Sequence, residues 1–311
     1  TRSPHDALPS HNFLSARYYV SSYIVPNMRK VADPFDGKSI NAMKSALSTN
    51  ALFCYHKAID EGRIERMKKW FYTLTAAASL LLLAACSNGT TTSSETAEST
   101  STSESVDLNA LTLPQLETEI QENEDVVEMV TGEGTITIKL FPELAPKAVE
   151  NFMTHAKDGY YDGVTLHRVV EEFMIQGGDP IGDGTGWESI CGEGIGEEIS
   201  NQLYHIRGAL ALAKSSLPNS QGSQFYICQS DQDVSDGLAI THYPQKIIDA
   251  YKDGGTPSLD FKYTVFGQVI EGMDVVDKIA KAETTASASG ENSTPVDPVK
   301  IEKINIIQEA E

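Results

Sequence analysis

Two short runs in the middle of the chain, FMIQGGD at 173–179 and SQFYICQ at 223–229, define the pattern of the folded part. Successive side chains of a β-strand point to opposite faces. Met174 and Gln176 therefore share one face of the first run, and Gln224 and Tyr226 share one face of the second. Ile175 and Phe225 point the other way and are expected to join the hydrophobic core. The runs predict two strands that present mixed polar and apolar side chains on one face.

The sequence around these runs is also mostly β in texture. VVEMV at 126–130 and TITIKLF at 135–141 flank a Gly-Glu-Gly turn, which predicts a hairpin. Further strands are predicted in VTLHRVV, RGALALA and YTVFGQV, and a phase change between Ile301 and Ile304 predicts a bulge in the closing strand. Helices are predicted in APKAVENFMTHAKDGYY at 145–161 and over Gly272–Ala282. Many short strands with two helices indicate a β-barrel or sandwich.

Charge and composition exclude several classes of function. The 311 residues contain 24 Lys and Arg against 44 Asp and Glu, a formal net charge of −20. Such a surface repels phosphate backbones, so no nucleic-acid partner is expected. The four cysteines, at 54, 86, 191 and 228, show no C-x-x-C spacing, and no histidine pair has metal-ligand spacing. We therefore expect no metal and no cofactor.

A lipoprotein signal peptide is predicted at residues 67–85. Met67 and two lysines precede an uncharged run of 16 residues, WFYTLTAAASLLLLAA, which is short for a membrane span of about 17–25 residues. LAAC at 83–86 resembles the bacterial lipobox, in which a diacylglycerol is attached to the cysteine thiol. A buried helix and a plain secretory signal are the alternatives. Lipidation at Cys86 is favoured because a polar tether follows, and not further core.

The segments on either side of the signal are interpreted from their composition. Residues 87–106, SNGTTTSSETAESTSTSESV, contain almost nothing apolar and predict a disordered tether with an r.m.s. reach of about 25 Å. The tether is assigned to residues 86–125, with a linker or short helix at 108–125. Residues 1–66 lie upstream of the signal and are interpreted as a non-native extension, with a small N-terminal domain as the alternative. The folded domain is predicted at 126–311.

Four blocks in the folded part resemble the cyclophilin peptidyl-prolyl cis-trans isomerases in order and approximate spacing. They are LHR at 166–168, FMIQGGD at 173–179, NSQGSQFYI at 219–227 and YTVFG at 263–267. Together with the lipobox and the tether, they make the chain similar to the surface-anchored cyclophilin lipoproteins of Gram-positive bacteria. The resemblance implies a mainly β fold, a closed eight-stranded antiparallel barrel capped by two helices.

The resemblance also implies an activity on X-Pro peptide bonds. Rotation about a peptide bond faces a barrier of about 18–20 kcal/mol, and stabilising the twisted amide lowers it without breaking a bond. Arg168 matches the catalytic residue, because an always-charged planar donor suits the amide nitrogen and the prolyl carbonyl. Gln176 and Gln224 match catalytic-site residues that hold backbone or Arg168. The matching substrate-binding residues are Phe173, Met174, Ala213, Tyr226, Leu259 and Tyr263.

The implied partners are proline-containing polypeptides, such as exported proteins, and the membrane, which the chain reaches through the lipid on Cys86. A monomer on the outer face of the cell membrane is expected. The alternative function is a peptide-binding or adhesion module that uses the same groove without significant turnover. A solute-binding lipoprotein would need a two-domain α/β pattern, which this β-rich region lacks. For single residues, Arg168 and His167 could form a surface pair, and Phe173, Met174 and Tyr226 could be core.

Departures from the family pattern carry predictions of their own. Ser258 and Tyr263 stand where many members have a tryptophan and a histidine, so peptide turnover should survive and sensitivity to cyclosporin should fall. A long insertion at about 231–257 predicts a helix through Ile247, Ile248 and Tyr251, and either borders the groove or is a peripheral decoration. The glycine-rich stretch at 182–186 suggests phosphate binding only superficially, since it matches a loop of the family. The resemblance supplies no Cys191–Cys228 disulfide.

Overall fold

The structure, a computed structural model, describes residues 107–311. The predictions for residues 1–66, for the signal at 67–85, for Cys86 and for the tether up to residue 106 lie outside the described residues. The elements follow the order predicted for a mainly β domain. The strands are β1 (Asp125–Thr131), β2 (Gly134–Leu140), β3 (Arg168–Val170), β4 (Met174–Gly177), β5 (Ala209–Leu212), β6 (Phe225–Cys228), β7 (Val265–Glu271), β8 (Thr284–Ala286), β9 (Asn292–Pro295) and β10 (Ile301–Gln308). The helices are α1 (Pro146–Lys157), α2 (Gln245–Ala250) and α3 (Met273–Ala280).

Eight strands form one antiparallel sheet in the order β10-β1-β2-β7-β5-β6-β4-β3, and β8 pairs with β9 in a separate hairpin. The predicted closed barrel is wrong, because the sheet is open between β10 and β3. The segment before β3 contacts the start of β10 at an isolated bridge between Thr165 and Lys300, with backbone hydrogen bonds on either side of it, such as the one from the N–H of Gly163 to the carbonyl oxygen of Ile301 at 2.7 Å. Since β3 has only three residues, it does not extend far enough to build a ladder with β10.

The predicted bulge in the closing strand is confirmed. In the antiparallel pairing of β1 with β10, Val130 lies opposite Lys303 and Thr131 lies opposite Ile301, so one residue of β10 is skipped. A second shift follows, where Val126 lies opposite Gln308 and Val127 opposite Ile306. The extra residue changes the phase of the side chains, which keeps Ile301 and Ile304 buried on a strand whose alternation is broken.

The middle of the sheet is covered on both faces, which explains why every residue of β5 and β6 is buried. Leu210, Leu212, Phe225 and Ile227 face the main core, together with Ile175 of β4 as predicted. Their neighbours along each strand face a second, smaller cluster, whose buried members are Phe141, Met174, Leu203, Ala209, Ala211, Tyr226, Cys228 and Val265. The sheet thus separates the core from a second apolar surface.

Both predicted helices are confirmed, and each buries one stripe against the main core. Helix α1 begins at Pro146, where the missing N–H has no helical partner to lose, and buries Val149, Phe152 and Ala156. The carboxylate of Glu198 accepts hydrogen bonds from the first-turn N–H groups of Lys147 and Ala148, at 3.0 Å and 2.9 Å for Oε2. Helix α3 buries Val276, Ile279 and Ala280.

The insertion and the segment that leads into the domain pack against each other. Ile247 and Tyr251 of the insertion are fully buried beside Leu113, Tyr204 and Ile206, as part of a third cluster. The side chain of Gln115, in a 3-10 turn at Pro114–Leu116, donates to the carbonyl oxygen of Tyr204 at 2.9 Å and accepts from its N–H at 2.7 Å. Residues 113–116 of the predicted tether therefore contact the folded domain directly.

Candidate active site

A row of side chains crosses four neighbouring strands on the face opposite the main core. Arg168 of β3 lies opposite Gln176 of β4, Gln176 lies opposite Tyr226 of β6, and Tyr226 lies opposite Ala211 of β5. Directly paired residues of an antiparallel sheet point to the same side. The short distance between strands, about 4.8 Å, therefore aligns a cation, an amide, a phenol and a methyl group in one row.

Hydrogen bonds connect the three predicted catalytic-site residues. Nη1 of Arg168 donates to Oε1 of Gln176 at 3.1 Å, and Nε2 of Gln176 donates to Oε1 of Gln224 at 2.9 Å. Nε2 of Gln224 then donates to the carbonyl oxygens of Gly184 and Gly186, at 3.1 Å and 2.8 Å. The chain of amides fixes the orientation of the guanidinium from a glycine-rich loop on the far side.

A buried carboxylate organises that loop. Both carboxylate oxygens of the fully buried Asp179 accept backbone N–H groups, Oδ1 from Ile181 at 2.7 Å and Oδ2 from Gly184 at 2.6 Å. The N–H of Asp183 also donates to Oδ2, at 3.2 Å, so these donors are already directed at a carboxylate and not at a phosphate. Gly178 enters the loop with φ +85°, where a Cβ atom would lie 2.3 Å from the carbonyl oxygen of Ser223.

The six predicted substrate-binding residues all belong to the second apolar cluster. Met174 and Tyr226 are buried in it, with 1% and 5% of their surface exposed, whereas the other four are half-buried at its rim. Met174 and Tyr226, which are as buried as core residues, thus form the floor of this apolar surface. The rim residues are Phe173, Ala213, Leu259 and Tyr263.

The rim places aromatic rings next to cations. The guanidinium carbon of Arg168 lies 5.8 Å from the centre of the Phe173 ring, and Nζ of Lys214 lies 5.0 Å from the centre of the Tyr263 ring. Tyr263 meets Tyr226 edge to face, with ring centres 6.1 Å apart. The cluster therefore forms an apolar surface with a positive group at each side.

A buried polar network that sequence reasoning missed lies beneath this surface. The hydroxyl of Tyr226 contacts Nε2 of His205 at 3.0 Å, and Nδ1 of His205 contacts Oδ1 of Asp260 at 2.9 Å. The hydroxyl of Tyr251, in the insertion, donates to Oδ2 of Asp260 at 2.5 Å. In the tautomer whose Nδ1–H donates to Asp260, Nε2 is the acceptor for the hydroxyl group of Tyr226. Burial raises the pKa of Tyr226 well above its usual range, so the hydroxyl stays protonated.

This network favours the interpretation that the insertion borders the groove over the interpretation that it is a peripheral decoration. Tyr251 is connected to Tyr226 through Asp260 and His205, and Leu259, which follows the insertion by two residues, lies on the rim. The insertion therefore borders the candidate site. Ser258, the position of the missing tryptophan, is exposed beside Leu259, and the expected loss of cyclosporin sensitivity stays a prediction.

A second residue missed by the sequence contacts Arg168 itself. The carboxylate of Glu291, in the turn between β8 and β9, accepts from Nε of Arg168 at 2.7 Å and from Nη2 at 2.9 Å. The hydrogen bond from Arg168 is the main cause of a lowered pKa at Glu291. No local pattern marks this residue, because 123 positions separate the two partners along the chain.

The remaining titratable side chains add no metal site within the described part of the chain. No group of three or more His, Cys, Asp or Glu side chains at 107–311 could hold a metal ion. His155, His167 and His205 are buried, and His242 is exposed. Cys228 is a buried free thiol, so it forms no bond with Cys191, and burial raises its pKa. None of the helices at 107–311 has both the length and the apolar character to cross a membrane.

Comparison with known proteins identifies the family. The family model for "Cyclophilin type peptidyl-prolyl cis-trans isomerase/CLD" matches residues 126–306. Similar proteins from Staphylococcus epidermidis and Staphylococcus aureus, both named "Putative peptidyl-prolyl cis-trans isomerase", are each 48% identical over 197 residues, which is 62% of this chain and 97% of the relative.

Two solved structures of a Cryptosporidium parvum cyclophilin type peptidyl-prolyl cis-trans isomerase also match. The first is 30% identical, covers 60% of this chain and 99% of its own, and superimposes with a TM-score of 0.48. The second, determined in the presence of the dipeptide Ala-Pro, is 31% identical, covers 59% and 99%, and gives a TM-score of 0.47. The family match spans more than half of the chain, and the curated relatives are matched over nearly their whole length. The chain therefore belongs to the cyclophilin-type peptidyl-prolyl cis-trans isomerases.

Proposed function

We propose that the chain accelerates X-Pro isomerisation in exported polypeptides by non-covalent stabilisation of the twisted amide. The observation that carries this proposal is the row formed by Arg168, Gln176 and Tyr226 on one face of three adjacent strands. It places a fixed guanidinium beside an apolar floor. A proline ring needs such a floor, and the twisted amide needs such a donor.

The steps follow from the chemistry of the amide. When the X-Pro bond twists, conjugation is lost, and the nitrogen gains a lone pair that accepts a hydrogen bond. Arg168 would donate to this nitrogen and to the prolyl carbonyl oxygen. Met174 and Tyr226 would hold the ring from below, while Phe173 and Leu259 would hold its edges. Ala213 would border the residue that precedes the proline.

The donor is prepared before the substrate arrives. Gln176 holds Nη1 at 3.1 Å, and Gln224 holds Gln176, so the guanidinium need not reorient during the reaction. Preorganised donors of this kind stabilise a transition state more than flexible ones do. No covalent intermediate, metal or cofactor is needed, because no bond is made or broken.

We further propose that the clients are exported proteins and that the enzyme works at the outer face of the cell membrane. The lipobox ending at Cys86 and the polar tether that follows support this location. A peptide-binding module without turnover remains the second candidate, since the apolar floor alone would suffice to bind a proline-containing peptide.

The test is isomerisation of an X-Pro peptide by the full chain, by Arg168→Ala and by Arg168→Lys. We expect kcat/KM to fall about 100-fold or more in Arg168→Ala, the effect of removing a transition-state donor. Arg168→Lys keeps the charge but loses the planar fork, so it should recover only part of the rate. Lys246→Ala, which removes an exposed cation from α2, is the control for net charge.

A folded Arg168→Ala protein with unchanged kcat/KM would refute the assigned role of Arg168. A wild-type chain that binds the peptide but gives no rate above background would favour the binding module instead. Circular dichroism of each variant would separate a loss of activity from a loss of fold.

A further inference from the structure

The turn between β8 and β9 places a carboxylate on the guanidinium that the proposed function uses. Glu291 immediately precedes β9, and its side chain is 41% exposed against 33% for Arg168. Its backbone is anchored, because the carbonyl oxygen of Glu291 accepts from the N–H of Ser287 at 2.7 Å. Strand β9 places Ser293 and Pro295 in buried positions, which holds the hairpin against the domain. The backbone from which the Glu291 side chain extends is therefore held in place.

The contact uses one complete edge of the guanidinium. Nε donates to Oε2 and Nη2 donates to Oε1, so the two groups lie side by side as a two-point fork. Nη1 donates to Gln176 in another direction, and the guanidinium carbon lies over the Phe173 ring, 5.8 Å from its centre. Arginine has five N–H donors, and Glu291 and Gln176 occupy three of them. One proton then remains on each Nη atom, and the one on Nη1 faces only a weak acceptor, the Sδ atom of Met174 at 3.6 Å.

The contribution of this pair to the stability of the fold is small. An exposed ion pair contributes little to folding, because water screens both charges and both side chains lose conformational freedom. A bidentate pair nevertheless sets the direction in which the remaining donors point. Two supports on different edges restrict rotation of the guanidinium more than Gln176 alone can.

We propose that Glu291 is a positioning residue, which holds the Nε–Nη2 edge of Arg168 so that the remaining Nη protons are directed to the prolyl amide. This inference rests on the proposed role of Arg168. It assigns a part in the reaction to the β8–β9 hairpin, which lies outside the eight-stranded sheet. Glu291 does not contact the substrate in this arrangement and acts only through Arg168.

The test compares Glu291→Ala and Glu291→Gln with the wild-type full chain. Glu291→Ala removes both acceptors, and we expect kcat/KM to fall about tenfold, because small displacements of a catalytic group cost one to two orders of magnitude. Glu291→Gln keeps one acceptor oxygen and should fall between Glu291→Ala and wild type. The loss should appear in kcat and not in KM, since ground-state contacts are unchanged. Asp297→Asn, at an exposed carboxylate beyond β9, is the matched control for charge.

A spectroscopic measurement separates positioning from support of the hairpin. The Nε–H proton of Arg168, assigned by its absence in the Arg168→Ala spectrum, should exchange slowly with water in wild type and faster in Glu291→Ala. A stability effect alone would lower the melting temperature and leave this signal in place.

The possible outcomes distinguish the two proposals. If the wild type gives no rate above background, the proposed function fails; if Arg168→Ala keeps full activity, the role of Arg168 fails, and Glu291 has no role to support. If Arg168→Ala is inactive while Glu291→Ala keeps the wild-type rate, only the positioning role is overturned. A rise in rate in Glu291→Ala would also overturn it, because Glu291 would then be a competitor for the guanidinium.

Discussion

At the scale of single residues, the hydroxyl group of Tyr226 links the floor of the groove to a buried polar network. It contacts Nε2 of His205 at 3.0 Å, and His205 is 1% exposed. The ring of Tyr226 belongs to the second apolar cluster, which we propose binds proline, whereas its hydroxyl group contacts His205. We therefore expect the hydroxyl group of Tyr226 to affect the stability of the fold and its ring to affect the activity.

Tyr226→Phe should lower the free energy of unfolding and leave isomerisation nearly intact. The substitution leaves a buried imidazole nitrogen without its partner, which costs about 1–3 kcal/mol. The ring that would contact proline remains, so kcat/KM should stay within about twofold of wild type. Urea unfolding and the peptide assay measure the two effects on the same samples.

Tyr263→Phe serves as the control, because it removes a hydroxyl group from a half-buried ring at the rim. Its effect on the free energy of unfolding should be smaller than that of Tyr226→Phe. A large loss of kcat/KM in Tyr226→Phe with unchanged unfolding would show that the hydroxyl group acts on the substrate, and our assignment of the two ends would be wrong.

The face of the sheet that a single residue occupies could be predicted where the alternation of a strand decides it. Alternation placed Met174 and Gln176 on one face and Ile175 on the other, because the side-chain period of two is a local property. Asp260 and Glu291 escaped prediction for a different reason. Their contacts join positions 55 and 123 residues apart, and such pairs depend on how the elements pack.

At the scale of elements, helix α1 ends in a cluster of rings that buries a titratable group. His155 is 5% exposed, its ring centre lies 4.2 Å from that of Tyr160, and its Nε2 lies 3.2 Å from the carbonyl oxygen of Glu188. Burial disfavours the charged imidazole and lowers the pKa of His155 to about 4, against which the Glu188 carbonyl and Asp158 act weakly. The surroundings of His155 at the end of α1 therefore favour the neutral imidazole.

Lowering the pH should therefore weaken the fold through α1. The unfolded chain binds a proton at His155 below a pH of about 6.5, whereas the folded chain does so only near pH 4. The stabilisation is complete above pH 6.5 and is lost as the pH falls towards 4, by an amount on the order of 3 kcal/mol. Urea unfolding at several pH values between these limits measures the slope.

His155→Gln keeps a donor for the Glu188 carbonyl but does not titrate, so its stability should vary less with pH over this range. His242→Gln, at an exposed histidine, should retain the wild-type dependence. If wild type and His155→Gln show equal slopes, another group causes the acid sensitivity.

The individual strands and helices were predicted more completely than the way in which the strands assemble into a sheet. The β1–β2 hairpin, both helices and the bulge in β10 follow from turn residues and local periodicity, and all are present. The closed barrel was wrong, because periodicity defines a strand but not the strand that it meets. Whether the edge strands β3 and β10 pair depends on lengths and tilts that no local pattern encodes.

At the scale of the whole molecule, the negative charge of the domain and the length of the predicted tether determine how close to a membrane the enzyme would lie. From Cys86 onwards the sequence contains 13 basic and 38 acidic residues. Such a domain is repelled by an anionic lipid surface within a Debye length of about 8 Å. The predicted reach of the tether, about 25 Å, exceeds this length and would let an acidic enzyme stay attached to a membrane without lying against it.

The attachment itself gives the last prediction, Cys86→Ser expressed in a Gram-positive host. We expect the full chain to incorporate labelled fatty acid and to sediment with membranes, whereas Cys86→Ser should do neither, because serine lacks the thiol that accepts the diacylglycerol. Cys54→Ser, upstream of the signal, should behave as wild type. Isomerase activity per molecule should be equal in all three, since the residues proposed to bind and act on the substrate all lie far along the chain from Cys86 and Cys54, at 168–263. Label that persists in Cys86→Ser would exclude this cysteine as the anchor, and the run at 70–85 would then serve as a secretory signal or a buried helix.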